Sequence, residues 1–210
     1  HMARINQVQV NERKGVTFAS ALRTFLRQDP DVIMVGEIRD QETAEIGVRA
    51  AMTGHMVFST IHANDAPSTA VRLLSLGVEP FQAASAMTLV AAQRLVRRVC
   101  PYCAEPYDPP EDLLLAFGLR RQEIPQALFR KGRGCGECKD RGYRGRMAIV
   151  EIMRMTAELR DMVARNLPAD AIRKAAMAQG MQTLKQSGLA KASRGETTIE
   201  EVLRVCLAEE

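Results

Sequence analysis

The 210-residue chain contains no tryptophan, only three tyrosines and six phenylalanines. So few rings leave little surface for stacking on bases, which argues against a single-strand nucleic-acid binder. No apolar run approaches the roughly 18 residues of a membrane-spanning helix, and no signal peptide is recognisable. A cytosolic location with reduced cysteines is therefore expected. Internal repeats and low-complexity stretches are absent as well. The opening His1-Met2 reads as a cloning remnant, so the natural polypeptide is expected to begin elsewhere.

What is present is ordinary for a globular protein: 46% apolar and 26% charged residues, with a net charge of +4. The charge is unevenly placed. Residues 1–93 carry −1, residues 94–146 carry +5 (12 basic against 7 acidic), and residues 147–210 carry 0. The basic third also holds Cys100, Cys103, Cys135 and Cys138, so charge and cysteine spacing mark the same segment. Three parts are expected, 1–99, 100–146 and 147–210.

The first part alternates strand and helix patterns. "TFASALRTFLRQ" puts Phe18, Leu22, Phe25 and Leu26 on one helix face. "VIMVG" is a short β-branched run opened by Asp-Pro and reads as a buried parallel strand. Asp40 is placed to cap the helix "QETAEIGVRAAMT", whose small stripe of Ala44, Gly47, Val48 and Ala51 suits flat packing on a sheet, with Gly54 past its end. "HMVFSTI" is a second strand. "NDAPSTAVRLLSLG" is the next helix, with Pro67 in its first turn, and another follows from Pro80 before "QRLVRRV" returns as a strand. Such alternation argues an α/β parallel sheet with flanking helices.

Ligands of open α/β sheets gather at the carboxyl ends of the strands. Gly36 and Glu37 follow one strand there, and Ser59, Thr60 and His62 close the next. A carboxylate in that place could position an attacking water, with hydroxyl and imidazole donors facing a phosphate. The plainer reading pairs Glu37 with Arg39 or Arg49 and leaves His62 as a satisfied histidine at a helix start.

Cys100-Pro101-Tyr102-Cys103 and Cys135-Gly136-Glu137-Cys138 are two C-x2-C pairs separated by 31 residues. Each pair can present two thiolates to one ion, and four soft ligands select tetrahedral Zn2+ in a closed structural site. Gly134 and Gly136 are expected to allow the sharp turn, and "PPEDLLLAFGL" reads as a helix inserted into a zinc-ribbon-like module. Two disulfides or four unrelated core thiols are the alternatives. Cys206 reads as a core residue. The last part is expected to be helical throughout, with Thr197 and Glu200, or Thr198 and Glu201, as a capping box.

The run "LRQDPDVIMVGEIRD" resembles the signature of the secretion and pilus assembly ATPases, the motors of type II secretion and type IV pili. "INQVQVN", "TGHMVFSTIHANDAPSTAVRLL", "GVEPF", "AQRLVRR" and two paired cysteines ending in "GYRGR" follow in that family's order. The resemblance implies a partial RecA-like ATPase domain over residues 1–99, the zinc module, and an all-helical C-terminal domain. It implies that Glu37 is the catalytic carboxylate of an atypical Walker B strand, with Gly36 where an acid often stands. It implies that His62 senses the γ-phosphate, with Arg39, Ser59 and Thr60 near the nucleotide. It further implies ATP and Mg2+ as ligands of a full-length homo-hexamer that works peripherally at the inner membrane with a platform protein. No G-x-x-x-x-G-K-[ST] occurs in the chain, and the family's acidic box is missing too. The chain is thus expected to be the C-terminal portion of such a motor and inactive alone. Retraction motors of this family lack the paired cysteines, which favours the assembly branch.

A non-enzymatic zinc ribbon that binds nucleic acid through its arginines is the alternative, but it leaves the ordered motifs of the first part without a role. The +5 segment is expected either to face anionic lipid or the platform protein, or to be a solvated surface paired internally with Glu105, Glu137 and Asp140.

Overall fold

The computed structural model describes residues 5–207; His1, Met2 and the end of the last expected helix, 208–210, lie outside them. In chain order the elements are α1 (Phe18–Leu26), β1 (Val32–Val35), α2 (Gln41–Met52), β2 (Met56–Ser59), α3 (Ala66–Ser75), α4 (Pro80–Ala86), β3 (Leu89–Val99), β4 (Ala104–Pro106) and α5 (Glu111–Leu115). There follow β5 (Arg130–Gly132), β6 (Tyr143–Arg154), α6 (Ala157–Ala164), α7 (Ala169–Ala178), α8 (Leu184–Ala192) and α9 (Ile199–Leu207).

Packing divides the chain into two compact units, one running through Val90 and adding Arg154–Ala176, the other made of Ala91–Met153 and the remainder from Met177. The stretch from 147 departs from the all-helical expectation. It opens inside β6, whose buried Ile149, Glu151 and Met153 alternate with exposed neighbours. Period-two alternation of that kind belongs to a half-buried strand.

In the first unit β1 and β2 are parallel, with Val32 opposite Met56, Met34 opposite Phe58 and Val35 opposite Ser59. One face of the pair carries Ile33, Val35 and Val57 and packs with Leu22 and Ala50 from α1 and α2. The other face carries Val32, Met34, Met56 and Phe58, all exposed, Met34 to 73%. Parallel sheets are as a rule covered on both faces, whereas this pair, expected from the sequence to be buried, is covered on one face only among the described residues. Asp40 caps α2 by accepting from the Thr43 N–H at 2.8 Å, as its place before the helix predicts.

In the second unit β3 pairs with β6, and β4 pairs antiparallel with β5. Leu114 of α5 and Phe129 share a core with Ala192, Ile199 and Leu203 of α8 and α9, so the insert between the cysteine pairs is anchored on the C-terminal helices. Gly188 brings α8 and α9 together: a Cβ there would stand 2.3 Å from Val202 Cγ1. Cys206 is half-buried against Val96, Ile149 and Leu184. No helix among the described residues is long and apolar enough to cross a membrane.

Candidate functional site

The carboxyl ends of β1 and β2 bring together the residues singled out at those positions. Past the last ladder pair, the Ile38 N–H donates to the Thr60 carbonyl at 2.9 Å, and the Thr60 hydroxyl donates to the Gly36 carbonyl at 2.8 Å. Ser59 turns its hydroxyl onto the Thr60 carbonyl at 3.3 Å. These bonds fix the two strand ends side by side. Glu37 emerges between them with a largely covered side chain. Its Oε2 accepts from Arg39 Nε at 2.6 Å, and His62 Nε2 stands 2.6 Å from its Oε1.

The two halves of this carboxylate are unlike. Oε2 is held by the Arg39 guanidinium, whose hydrogen bond and charge keep the Glu37 carboxyl below its ordinary value against the opposing effect of burial. Oε1 is sealed from solvent yet has no aligned hydrogen-bond donor, so the His62 approach is a close contact without hydrogen-bond geometry. The imidazole itself is 87% exposed. It reaches Oε1 from the loop 61–65, which forms no regular structure. The pairing of Glu37 with Arg39 that the plainer reading anticipated is present; it occupies one oxygen only.

Sequence reasoning passed over two further residues next to this site. Asp65 caps α3 by accepting from the Ser68 N–H at 2.8 Å, and Arg173 of α7 meets its other oxygen at 2.8 Å. An acid just before a proline in the first helical turn is a capping signal, but nothing local marks its partner.

The four cysteines converge. Their Sγ atoms lie within 4.8 Å of one another, with Cys100 to Cys135 and Cys103 to Cys138 both at 3.9 Å and Cys135 to Cys138 at 3.7 Å. A disulfide needs about 2.05 Å. Four thiolates at about 2.3 Å from one Zn2+ form a tetrahedron with edges of about 3.8 Å, so the spacing fits a metal. Burial opposes ionisation of Cys138, but the N–H groups of Cys135 and Gly142, each 3.3 Å from its sulfur, bring the thiol to about 7. Cys103, with burial dominant, is pushed up to about 12. The knuckle turns differently from expectation. Gly134 does adopt a positive φ, but Gly136 does not, and the left-handed residues are Lys139 and Asp140. Gly132 and Gly142 let two backbones cross, since a Cβ on Gly132 would lie 2.1 Å from the Gly142 carbonyl oxygen.

Much of the basic surface nearby is paired: Arg133 with Glu105, Lys131 with Glu200, Arg144 with Glu137 and Arg121 with Asp108. The internal pairing foreseen for Glu105 and Glu137 is thus present.

The family model described as "Type II/IV secretion system protein" matches residues 1–204. The chain belongs to this family. It is 49% identical over 204 residues to a type IV pilus assembly ATPase PilB of Myxococcus xanthus, a match that takes in 97% of this chain and 36% of that protein. It is 45% identical over 205 residues to a type II secretion system protein E of Pseudomonas aeruginosa, covering 98% of this chain and 40% of the relative. The fold is similar to the crystal structure of the pilus retraction motor PilT with bound ADP (TM-score 0.62, 25% identity, 90% of this chain and 43% of that one). It is also similar to the ATPase DotB of Legionella pneumophila (TM-score 0.64, 21% identity, 99% and 48%). The α/β fold is therefore similar to those of PilT and DotB, and the chain spans less than half the length of these relatives.

Proposed function

We propose that the chain is the C-terminal portion of an ATP-hydrolysing motor that drives assembly of a type II secretion pseudopilus or a type IV pilus. The observation that carries this is the meeting of Glu37, His62, Thr60 and Gly36 at the carboxyl ends of β1 and β2 in a member of this family. Glu37 is the general base that orients the attacking water. His62 covers Glu37 Oε1 until a γ-phosphate draws the imidazole away, which ties base exposure to the presence of ATP. Arg39 keeps Glu37 ionised, and Ser59 and Thr60 frame the nucleotide edge.

The cradle for the β- and γ-phosphates comes from a P-loop elsewhere in the longer polypeptide, as part of a RecA-like domain that this chain completes. The bare Val32, Met34, Met56 and Phe58 face supports this, because it is the surface against which the rest of such a domain packs. The strand-end set offers no P-loop hydroxyl for Mg2+. Cys100, Cys103, Cys135 and Cys138 hold one structural Zn2+, which would cross-link the two knuckles. Their presence favours the assembly branch. The motor acts as a homo-hexamer in the cytoplasm beside an inner-membrane platform protein. The nucleic-acid reading is not favoured, since the family match spans residues 1–204 and the basic surface is extensively paired.

Turnover compared between the 210 residues and a longer polypeptide that includes the P-loop tests the reading. ATP hydrolysis by the longer form alone is expected. Sustained hydrolysis by the 210 residues after repeated purification would overturn the assignment of the cradle.

A further inference from the structure

His62 owes its place to two anchors. Its side chain is exposed and the loop from 61 to 65 forms no regular structure, so the imidazole has no packing of its own to hold it over Glu37. The first anchor is Thr60, bonded to the end of β1 through Ile38 and Gly36. The second is Asp65, where the loop becomes α3. There Oδ1 accepts from the Ser68 N–H at 2.8 Å and the carbonyl accepts from the Thr69 hydroxyl at 2.9 Å. Oδ2 lies 2.8 Å from Arg173 Nη2.

The corresponding cap at α2 shows how this differs from ordinary capping. Asp40 spends its second oxygen locally, on the Thr43 hydroxyl at 2.9 Å. Asp65 spends its second oxygen on α7, far along the chain. The contact is sheltered: Asp65 is 15% exposed and Arg173 32%, whereas the nearer acid, Asp170, is 86% exposed and 3.7 Å from Arg173 Nε. Burial raises the Asp65 carboxyl, and Ser68 and Arg173 outweigh it, so this carboxyl lies below its ordinary value. The helical segment that carries Arg173 is itself tied to the same unit. Arg160 of α6 donates to the Ala84 carbonyl at 2.5 Å, and the Met155 N–H donates to the Thr88 carbonyl at 3.0 Å.

We infer that Arg173 is a positioning residue: through Asp65 it fixes the loop that lays His62 over Glu37, and so couples the α6–α7 segment to the strand-end site. The catalytic half of this inference rests on the ATPase reading; the geometric half does not. The pair is partly sheltered, so loss of Arg173 costs some stability as well as freeing the loop, and the positioning role is read from His62 itself rather than from the melting midpoint.

The test has two arms. In the 210-residue chain, imidazole 1H–15N correlations are recorded for Arg173→Gln, Arg173→Lys and Asp65→Asn, which keeps an oxygen for Ser68 while losing the charge. His55, whose Nδ1 lies 3.0 Å from the Ala50 carbonyl, is the internal reference. The His62 signals are expected to shift and broaden in Arg173→Gln and Asp65→Asn and to return toward the parent in Arg173→Lys, while the His55 signals stay unchanged in all three. Unaltered His62 signals, or His55 signals moving together with those of His62, overturn the positioning role. In the longer polypeptide, Arg173→Gln is expected to lower kcat about tenfold with KM for ATP nearly unchanged, as misplacement of a catalytic group does. Arg173→Lys should recover most of the loss, and adding Asp65→Asn should deepen it no further. A normal kcat in Arg173→Gln beside an inactive Glu37→Gln refutes the coupling alone. A normal kcat in Glu37→Gln refutes the ATPase reading, and the imidazole arm still stands.

Discussion

Arg97 and Glu201 lie 104 positions apart and meet through three hydrogen bonds, from the Arg97 N–H, Nε and Nη2, at 3.0, 2.9 and 2.7 Å. Arg204 adds two more to the same carboxylate at 2.9 and 2.7 Å, and the Arg97 guanidinium lies 4.2 Å over the Tyr143 ring. Glu201 is fully buried and both arginines are about half-exposed, so the cluster locks the start of α9 to β3 while its positive charge stays hydrated.

Burial raises the Glu201 carboxyl, but the bonds from Arg204 and Arg97 outweigh it and hold the group at about 2, below its ordinary 4.5. A depressed folded value stabilises above the unfolded one, and that stability is lost as pH falls from about 4.5 toward about 2. The shift corresponds to roughly 3 kcal/mol at neutral pH. Urea unfolding of the parent and of Glu201→Gln is expected to differ by about 2 to 3 kcal/mol at pH 7 and to converge at the acid end of that window. A difference independent of pH would contradict it.

The cysteine centre is expected to bind one Zn2+ per chain, with Cys206 remaining a free thiol. Removing the metal with a chelator, or replacing buried Cys103 by Ser, should cost roughly 3 kcal/mol or about 10 °C in the melting midpoint, because the ligands cluster only in the folded chain. Elemental analysis with thiol titration and a melting curve checks this. Two disulfides in freshly lysed cytosol, or a midpoint indifferent to chelation, would contradict it.

The bare face of the β1–β2 sheet makes a prediction that depends on context. Met34→Lys with Phe58→Lys should change the stability of the 210 residues by no more than about 0.5 kcal/mol each and abolish their binding of a hydrophobic dye. In the longer polypeptide the same pair should cost more than about 3 kcal/mol, since it buries unpaired charge. Equal effects in both backgrounds would mean that nothing covers this face.

Where local physics dominates, the sequence was legible. Asp40 before an apolar-periodic run, Pro67 in a first turn and Pro80 opening a helix all act within one helical turn, and α2, α3 and α4 form where they predict. The convergence of the four cysteines was legible from their spacing alone. β6 was not foreseen. Its alternation is disguised by a buried Glu151 among the inward positions and by methionines compatible with either structure. The capping box at α9 was half legible: Thr198 accepts from the Glu201 N–H at 3.2 Å, but the Glu201 side chain turns to Arg97 and Arg204. The Asp65–Arg173 and Arg97–Glu201 pairs join residues about a hundred positions apart, and no periodicity or turn signal encodes a partner at that range.

Glu37, held through one oxygen by Arg39 and met at the other by His62, is proposed as the base of an ATPase site. Glu37→Gln in the longer polypeptide tests it most directly, because the amide keeps the shape and removes the proton acceptor. ATP affinity within about threefold of the parent and turnover lowered by roughly two to four orders of magnitude are expected. Turnover at the parent rate with ATP still bound would contradict the account.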